Sequence, residues 1–340
     1  MKKVVCFGEI MMRLNPKGYL RFGQAREFES SFAGGEANVA VSLANYGLNV
    51  AYVTKVPTHE IGQGAVNELR RYGVDVSGIL RGGERLGTYY VEKGASQRAS
   101  KVIYDRAYSS ISQIKPNEFD WEKLLSGADW FHTTGITPAL SDAAARETIE
   151  AVKTAKKLGV TVSCDLNYRK NLWSKERAKE VMTEAAQYVD VCIANEEDAA
   201  DVFGIKAEGS DVTKGELNRD GYISVAKLLA SKFNFQKVAI TLRGSISASD
   251  NKWSGMLFDG NNAYFAPEYT VHIVDRVGGG DSFGAGLIYS LLNGYDSQKA
   301  VNFAVAASCL KHAIEYDFNL VTVAEVETLA GGDSSGRVQR

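Results

Sequence analysis

Asp275-Arg276-Val277-Gly278-Gly279-Gly280-Asp281-Ser282-Phe283-Gly284-Ala285-Gly286 is the stretch on which the reading of this chain turns. Three glycines run straight into an apolar segment, Asp281–Leu292, whose spacing predicts a helix. Glycine allows otherwise strained backbone and close approach by a ligand. The first amides of a helix lack intrahelical partners and carry the positive end of its dipole, which makes an anion site. A carboxylate there, Asp281, is placed to take a proton from a hydroxyl while the amides steady developing charge. The same residues also suit a plain helix cap, because Asp is a preferred cap residue. Gly284 and Gly286 inside the helix each cost ~1 kcal/mol relative to Ala, which either tight helix packing or a ligand explains.

Outward from this stretch the chain alternates short apolar runs with amphipathic segments. Strands are predicted at Val4–Phe7, Val50–Thr54, Ala128–His132, Thr161–Asp165, Val189–Ala194 and Val238–Leu242. Helices are predicted at Ala37–Asn45, Ser141–Lys157, Lys175–Gln187, Ile223–Lys232 and Asp281–Leu292. Strand-then-helix repetition means a parallel sheet covered on both faces, with ligands beyond the carboxyl ends of its strands. Met11–Phe32 and Leu86–Arg106 break the rhythm. The second reads as a hairpin around Gly94, and together they are expected to form a small antiparallel sheet over the cleft. The expected division is a main α/β domain in 1–10, 33–85 and 107–330, a β lid in 11–32 and 86–106, and a frayed Gly/Ser-rich tail in 331–340. The polar segment Ala207–Asp220 reads as a surface excursion.

The 340 residues suffice for a large core, and 45% hydrophobic with 24% charged residues is ordinary globular composition. A formal net charge of -2 carries no nucleic-acid or membrane-surface footprint. Cys6, Cys164, Cys192 and Cys309 form no C-x-x-C pair, and the first three sit in apolar runs, so buried thiols in a reducing cytosol are expected. No apolar run approaches the ~18 residues of a membrane span, and the opening residues lack a signal-peptide core. His132, at a strand end, reads as a core histidine; His59, His272 and His312 carry no catalytic pattern.

Asp275–Gly286 resembles the carboxyl-terminal signature of the ribokinase-like (PfkB) carbohydrate kinases. Ala33-Gly34-Gly35-Glu36-Ala37-Asn38-Val39-Ala40 resembles their amino-terminal signature, and the likeness runs from the first strand to about Val321. The resemblance implies a three-layer α/β fold with a central mostly parallel sheet and a small β lid, and ATP with Mg²⁺ as phosphoryl source. It implies Asp281 as general base and Gly278, Gly279 and Gly280 with Asp281 as an anion hole for the γ-phosphate. Asn195-Glu196-Glu197-Asp198 is similar to the family's N-x-x-E element, which organises Mg²⁺ through water; Asp198 stands where Glu is usual, and Glu197 is the alternative. Thr241-Leu242-Arg243-Gly244 resembles the element bordering the nucleotide, with Arg243 where most relatives have Lys, and Asn167 joins that set. Asp275 and Val277 resemble positions bordering a monovalent-cation site, such as one for K⁺, in some members.

Asp165-Leu166-Asn167-Tyr168-Arg169 is similar to the D-x-N-x-R segment of members acting on sugars and sugar acids. On the lid, Tyr104 and Arg106 are two apart and share a face, with Tyr89 on the partner strand. Two arginines, Arg106 and Arg169, converging on one cleft favour an anionic substrate, because Arg pairs bidentately with carboxylate. With Trp130–Pro138 and Tyr316-Asp317-Phe318-Asn319, this set resembles the branch of the family that phosphorylates 2-keto-3-deoxygluconate at O6. That branch implies Gly34, Gly35, Asn38, Tyr89, Tyr104, Arg106, Arg169 and Asp317 as substrate contacts, and a homo-oligomer built on lid surfaces. Another sugar kinase of the family, such as a fructokinase, or a non-catalytic sugar or nucleotide sensor on the same fold, fits the same signatures. No G-x-x-x-x-G-K-[ST] loop occurs, and Phe7-Gly8-Glu9-Ile10-Met11 lacks the glycine pattern of a dinucleotide-binding oxidoreductase.

Overall fold

The structure, a computed structural model, describes residues 2–195, 197–206, 219–333 and 335–336. Most of Ala207–Asp220 and the end of the tail lie outside the described residues. The strands are β1 (Lys3–Phe7), β2 (Met11–Asn15), β3 (Glu29–Ala33), β4 (Asn49–Val56), β5 (Ile79–Arg81), β6 (Thr88–Glu92), β7 (Lys101–Asp105), β8 (Trp130–Thr134), β9 (Thr161–Asp165), β10 (Val191–Ala194), β11 (Lys237–Ser245), β12 (Asp250–Phe258), β13 (Ala263–Phe265) and β14 (Tyr269–His272). The helices are α1 (Gly35–Asn45), α2 (Glu60–Arg71), α3 (Trp121–Leu125), α4 (Asp142–Lys157), α5 (Lys175–Ala186), α6 (Asp198–Phe203), α7 (Arg219–Phe233), α8 (Gly279–Leu292), α9 (Ser297–Lys311) and α10 (Val323–Ala330).

The main sheet runs β13-β12-β11-β10-β9-β8-β1-β4-β5, parallel from β11 to β5, with β14 paired to β12. Its unbroken apolar strands follow from burial on both faces. Along β1, Val4 and Cys6 pack with α1, α2, α8, α9 and α10, while Val5 and Phe7 pack with α3 to α7. That alternation produces the three layers. Cys6, Cys164 and Cys192 are buried free thiols, as their apolar runs imply. His132 is a core residue bonded to Ser163 Oγ at 2.8 Å, and burial drives its pKa down to about 3. Among the described residues no helix is long and apolar enough to cross a membrane.

The second sheet, β3-β2-β6-β7, forms the lid, but its central pair β2/β6 is parallel, so it is mixed and not antiparallel as expected. The reason is connectivity. Strand β6 reaches the lid only after the chain has passed through α1, β4, α2 and β5, and it returns running the same way as β2. The antiparallel β12–β14 edge and helices α2, α9 and α10 were not read from the sequence.

Gly284 and Gly286 separate on inspection of α8. A Cβ on Gly286 would lie 2.9 Å from Ala304 Cα on α9, whereas one on Gly284 would meet only Ile193 Cδ1 at 3.5 Å. The close α8–α9 approach therefore explains Gly286 alone. Gly284→Ala is expected to leave stability unchanged or raise it by up to ~1 kcal/mol through helix propensity. Gly286→Ala is expected to cost about 1–3 kcal/mol by overpacking, both read from urea unfolding.

Candidate active site

The amino ends of α1 and α8 meet at the carboxyl edge of the sheet, and the two glycine elements sit there. Gly278 adopts φ +86, and a Cβ on it would run into the Asp317 carbonyl oxygen. Only glycine satisfies both demands. The Gly279 N–H turns back to the Arg276 carbonyl at 3.2 Å. Neither the Gly280 nor the Asp281 amide bonds to a backbone carbonyl outside α8 among the described residues, and a Cβ on Gly280 would meet nothing within 4 Å. The anion hole expected from Gly278–Asp281 thus rests on its exposed half. Gly34 lets α1 start against the Glu9 carbonyl, where any side chain would collide.

Asp281 Oδ2 accepts from Asn38 Nδ2 at 2.7 Å, and a Cβ on Gly35 would lie 3.6 Å from its Oδ1. This brings Asn38, Gly35 and Asp281 together as the two signatures imply. Loss of water around the carboxyl raises its pKa to about 7. The Asn38 bond opposes the rise, the charges of Asp317 and Glu36 add to it, and Arg169 opposes it. A carboxylate poised near neutrality suits a general base better than an ordinary one. Glu36, buried, accepts from the Thr134 amide and from the Thr134 and Thr137 hydroxyls, which fixes α1 to the end of β8.

Tyr89 and Asp317, expected to touch substrate, are bonded to each other: Tyr89 Oη donates to Asp317 Oδ2 at 2.7 Å. Arg13 Nη1 donates to Asp317 Oδ1 and Arg13 Nη2 to Asp275 Oδ2, both at 2.6 Å. Both Asp317 oxygens are therefore engaged, and this buried cluster ties lid strand β2 to the approach of the glycine run. Sequence reasoning missed Arg13. The signal was present in β2, where Met11, Arg13 and Asn15 share the buried face. Tyr104 stacks on Tyr89 with centroids 5.9 Å apart.

A cavity of about 890 Å³ lies between β7 and the loop after β9, lined by Tyr104, Arg106, Tyr168 and Arg169. The two arginines do converge, on different terms. Arg106 is bonded to the buried Glu9 carboxylate, with Nε at 2.8 Å, and arrives already neutralised. Arg169 donates to the Tyr168 carbonyl at 3.1 Å and forms no direct ion pair among the described residues. Burial raises the pKa of Asp165, Asp198 and Asp281, and the Arg169 charge opposes that rise.

A second cavity of about 280 Å³ adjoins the glycine run and shares Arg169 and Glu197 with the first. The expected Asn167, Asn195, Thr241, Arg243, Gly279 and Gly280 line it. Asn167 holds φ +37, which turns the chain sharply beside the cavity. Gly244 pairs with Lys252 across the sheet and is not part of that lining. Asn251, Trp253, Arg276 and His312 line the cavity and were missed. Arg276 lay inside the quoted glycine stretch, and its charge was the available signal. His312 packs on Trp253 at 4.9 Å and accepts no catalytic role from its sequence context; burial first lowers its pKa to about 4.

Asn195 Oδ1 accepts from the Glu197 and Asp198 amides at 2.8 and 3.0 Å. Asp198 accepts from the Tyr168 and Asn195 amides, both at 3.1 Å, so its first task is to hold two loops together. Burial raises the pKa of Asp198. Burial, then the charges of Asp198 and Asp281, raises that of Asp165. Carboxylates that press on one another in this way fit a divalent cation arriving among them. Glu197, exposed on both cavities, is the freer donor of the pair, and no preformed cluster of three metal-ligating side chains occurs among the described residues.

Comparison with known proteins agrees with this geometry. The crystal structure of 2-dehydro-3-deoxygluconokinase from Thermotoga maritima superposes with a TM-score of 0.94 at 52% identity, covering 97% of this chain and 98% of that one. The 2-dehydro-3-deoxygalactonokinase of Haloferax volcanii is 34% identical over 98% of each chain. The 2-dehydro-3-deoxygluconokinase of Thermoproteus tenax is 29% identical over 93% of this chain and 90% of its own. The family model of the pfkB carbohydrate kinases matches residues 1–313, and with both glycine signatures assembled around Asp281 the chain belongs to that family.

Proposed function

We propose that the chain transfers the γ-phosphoryl group of ATP to the O6 hydroxyl of 2-keto-3-deoxygluconate, giving the 6-phosphate and ADP. The observation that carries this reading is Asp281: a carboxyl raised to about 7, bonded to Asn38 at 2.7 Å, at the open amino end of α8. Asp281 takes the O6 proton as O6 attacks the γ-phosphorus and the bond to the β-bridging oxygen breaks. The Gly280 and Asp281 amides, with Arg243 and Arg276 on the adjoining cavity, balance the phosphoryl charge. Arg169 receives the sugar-acid carboxylate, positioned by Tyr104 and Arg106 in the larger cavity. Gly34, Gly35 and Asn38 meet the sugar hydroxyls, while Tyr89 and Asp317 act through the lid cluster. Glu197 and Asp198 would hold Mg²⁺ through water, and bound there the ion neutralises phosphate charge.

The four free cysteines support a cytoplasmic setting. Exposed Val102, Ile103 and Tyr104 on lid strand β7 support a homo-oligomer formed through the lid. An ADP-release assay over a panel of sugars and sugar acids tests the substrate. It includes 2-keto-3-deoxygalactonate, because the Haloferax volcanii relative is named for that epimer. Fastest turnover on a neutral hexose would overturn the sugar-acid reading.

Four outcomes are expected. Asp281→Asn lowers kcat by roughly 10²–10⁴ with substrate binding kept. In the unaltered enzyme, kcat/KM falls as pH drops through about 7, because the base must be ionised. Arg169→Ala raises KM for the sugar acid about tenfold or more with a smaller change in kcat; an unchanged KM would exclude the carboxylate clamp. The fourth outcome concerns stability. A carboxyl raised from 3.8 to about 7 favours the folded state when protonated, and that contribution is lost as pH rises through 7. Asp281→Asn is therefore expected to melt about 2–4 °C or more above the parent at pH 8, with the gap closing toward pH 4, by scanning calorimetry.

A further inference from the structure

Lys311, the last residue of α9, is fully buried, with none of its side chain in contact with solvent. Its Nζ donates to the Asp275 carbonyl at 3.3 Å and to the Ile314 carbonyl at 3.1 Å. These carbonyls belong to the two loops that flank the glycine run. The same loops touch where Gly278 passes the Asp317 carbonyl, and the Val274 amide bonds to the His312 carbonyl at 2.8 Å. Ser308, one turn earlier on α9, donates to the Gly279 carbonyl at 2.6 Å. The carboxyl end of α9 thus braces the anion hole from beneath, with an ammonium as its central contact. Burial lowers the Lys311 pKa, and the Asp275 and Asp317 carboxylates, which also pair with Arg13, oppose that fall.

Asp275 and Val277 are the positions that resemble the border of a monovalent-cation site. The residues present do not fit such an ion. A K⁺ bound at the Asp275 carbonyl would share that oxygen with the Lys311 ammonium, and two cations on one buried carbonyl repel each other strongly. A lysine ammonium carries the same charge as K⁺ and offers three donors to carbonyl oxygens.

We propose that Lys311 is a built-in cation, a positioning residue that clamps the Asp275–Gly278 loop to the Ile314–Asp317 loop, so that the anion hole stands without any monovalent metal ion. This goes beyond the proposed reaction and concerns the scaffold that reaction uses.

The test uses the full chain in buffers whose only monovalent cation is tetramethylammonium, too large to enter such a site. The parent is expected to keep its kcat within about twofold when KCl is added, and its melting temperature is expected to respond equally to KCl and tetramethylammonium chloride. Lys311→Met is expected to lose about tenfold or more in kcat and to regain part of it with NH₄Cl or KCl but not with tetramethylammonium chloride. A merely structural lesion would show no such rescue. A parent that requires K⁺, or that melts higher with K⁺ alone, would overturn the proposal, as would a folded Lys311→Met variant with unchanged kcat. If Lys311→Met does not fold, the cation titration of the parent decides. The melting readout needs no substrate, so it separates failure of this inference from failure of the sugar-acid reading.

Discussion

The hydrogen bond from Asn38 to Asp281, 2.7 Å long, is the contact on which the site depends. It joins residues 243 positions apart and holds the amino ends of α1 and α8 face to face. Each helix reaches that point only because its glycine permits it: Gly34 against the Glu9 carbonyl, Gly278 against the Asp317 carbonyl. The bond also acts on the charge. Burial pushes the Asp281 carboxyl up, and the Asn38 donor on one oxygen opposes that rise.

The main sheet was legible because its strands are short apolar runs such as Val-Val-Cys-Phe, where burial on both faces leaves little alternative. The lid was legible in outline from Thr88–Val91 and Lys101–Asp105, but the parallel β2/β6 pairing was not, since strand direction there follows from a long detour of the chain. The base and glycine elements could be read because local chemistry and order along the chain agree. Glu9 and Lys311 could not, because each owes its role to a partner brought by folding, 97 positions distant for Glu9 and Arg106, and a lone charged residue in sequence carries no mark of burial. Arg13 and Arg276 did leave a mark, the alternation of β2 for one and a charge inside the glycine stretch for the other. Tyr89 and Asp317 were named as substrate contacts, and in the structure they are bonded to each other, with Arg13 on the second Asp317 oxygen.

Buried charge is organised in two blocks with different purposes. Arg13, Lys311, Asp275 and Asp317 are matched in charge and bonded to one another or to nearby carbonyls, which fixes geometry. Removing one member would strand the others without water or partner, which is why such clusters specify position more than they add stability. Asp165, Asp198 and Asp281 form an unmatched block, each raised above its ordinary pKa, with Arg169 as the nearby positive charge. A proton or a divalent cation would relieve the mismatch.

Arg169 lines both cavities, so it stands where the charges of both substrates of the proposed reaction would act on it. In the proposed reaction a sugar-acid carboxylate draws on the same guanidinium that lowers the Asp281 pKa. Part of that lowering is then lost, and Asp281 becomes a stronger base when an acidic acceptor is in place. A neutral hexose leaves the guanidinium acting on Asp281 and gains no such activation. In that reaction selectivity for an acid would rest partly on affinity and partly on how one arginine divides its field between the substrate and Asp281.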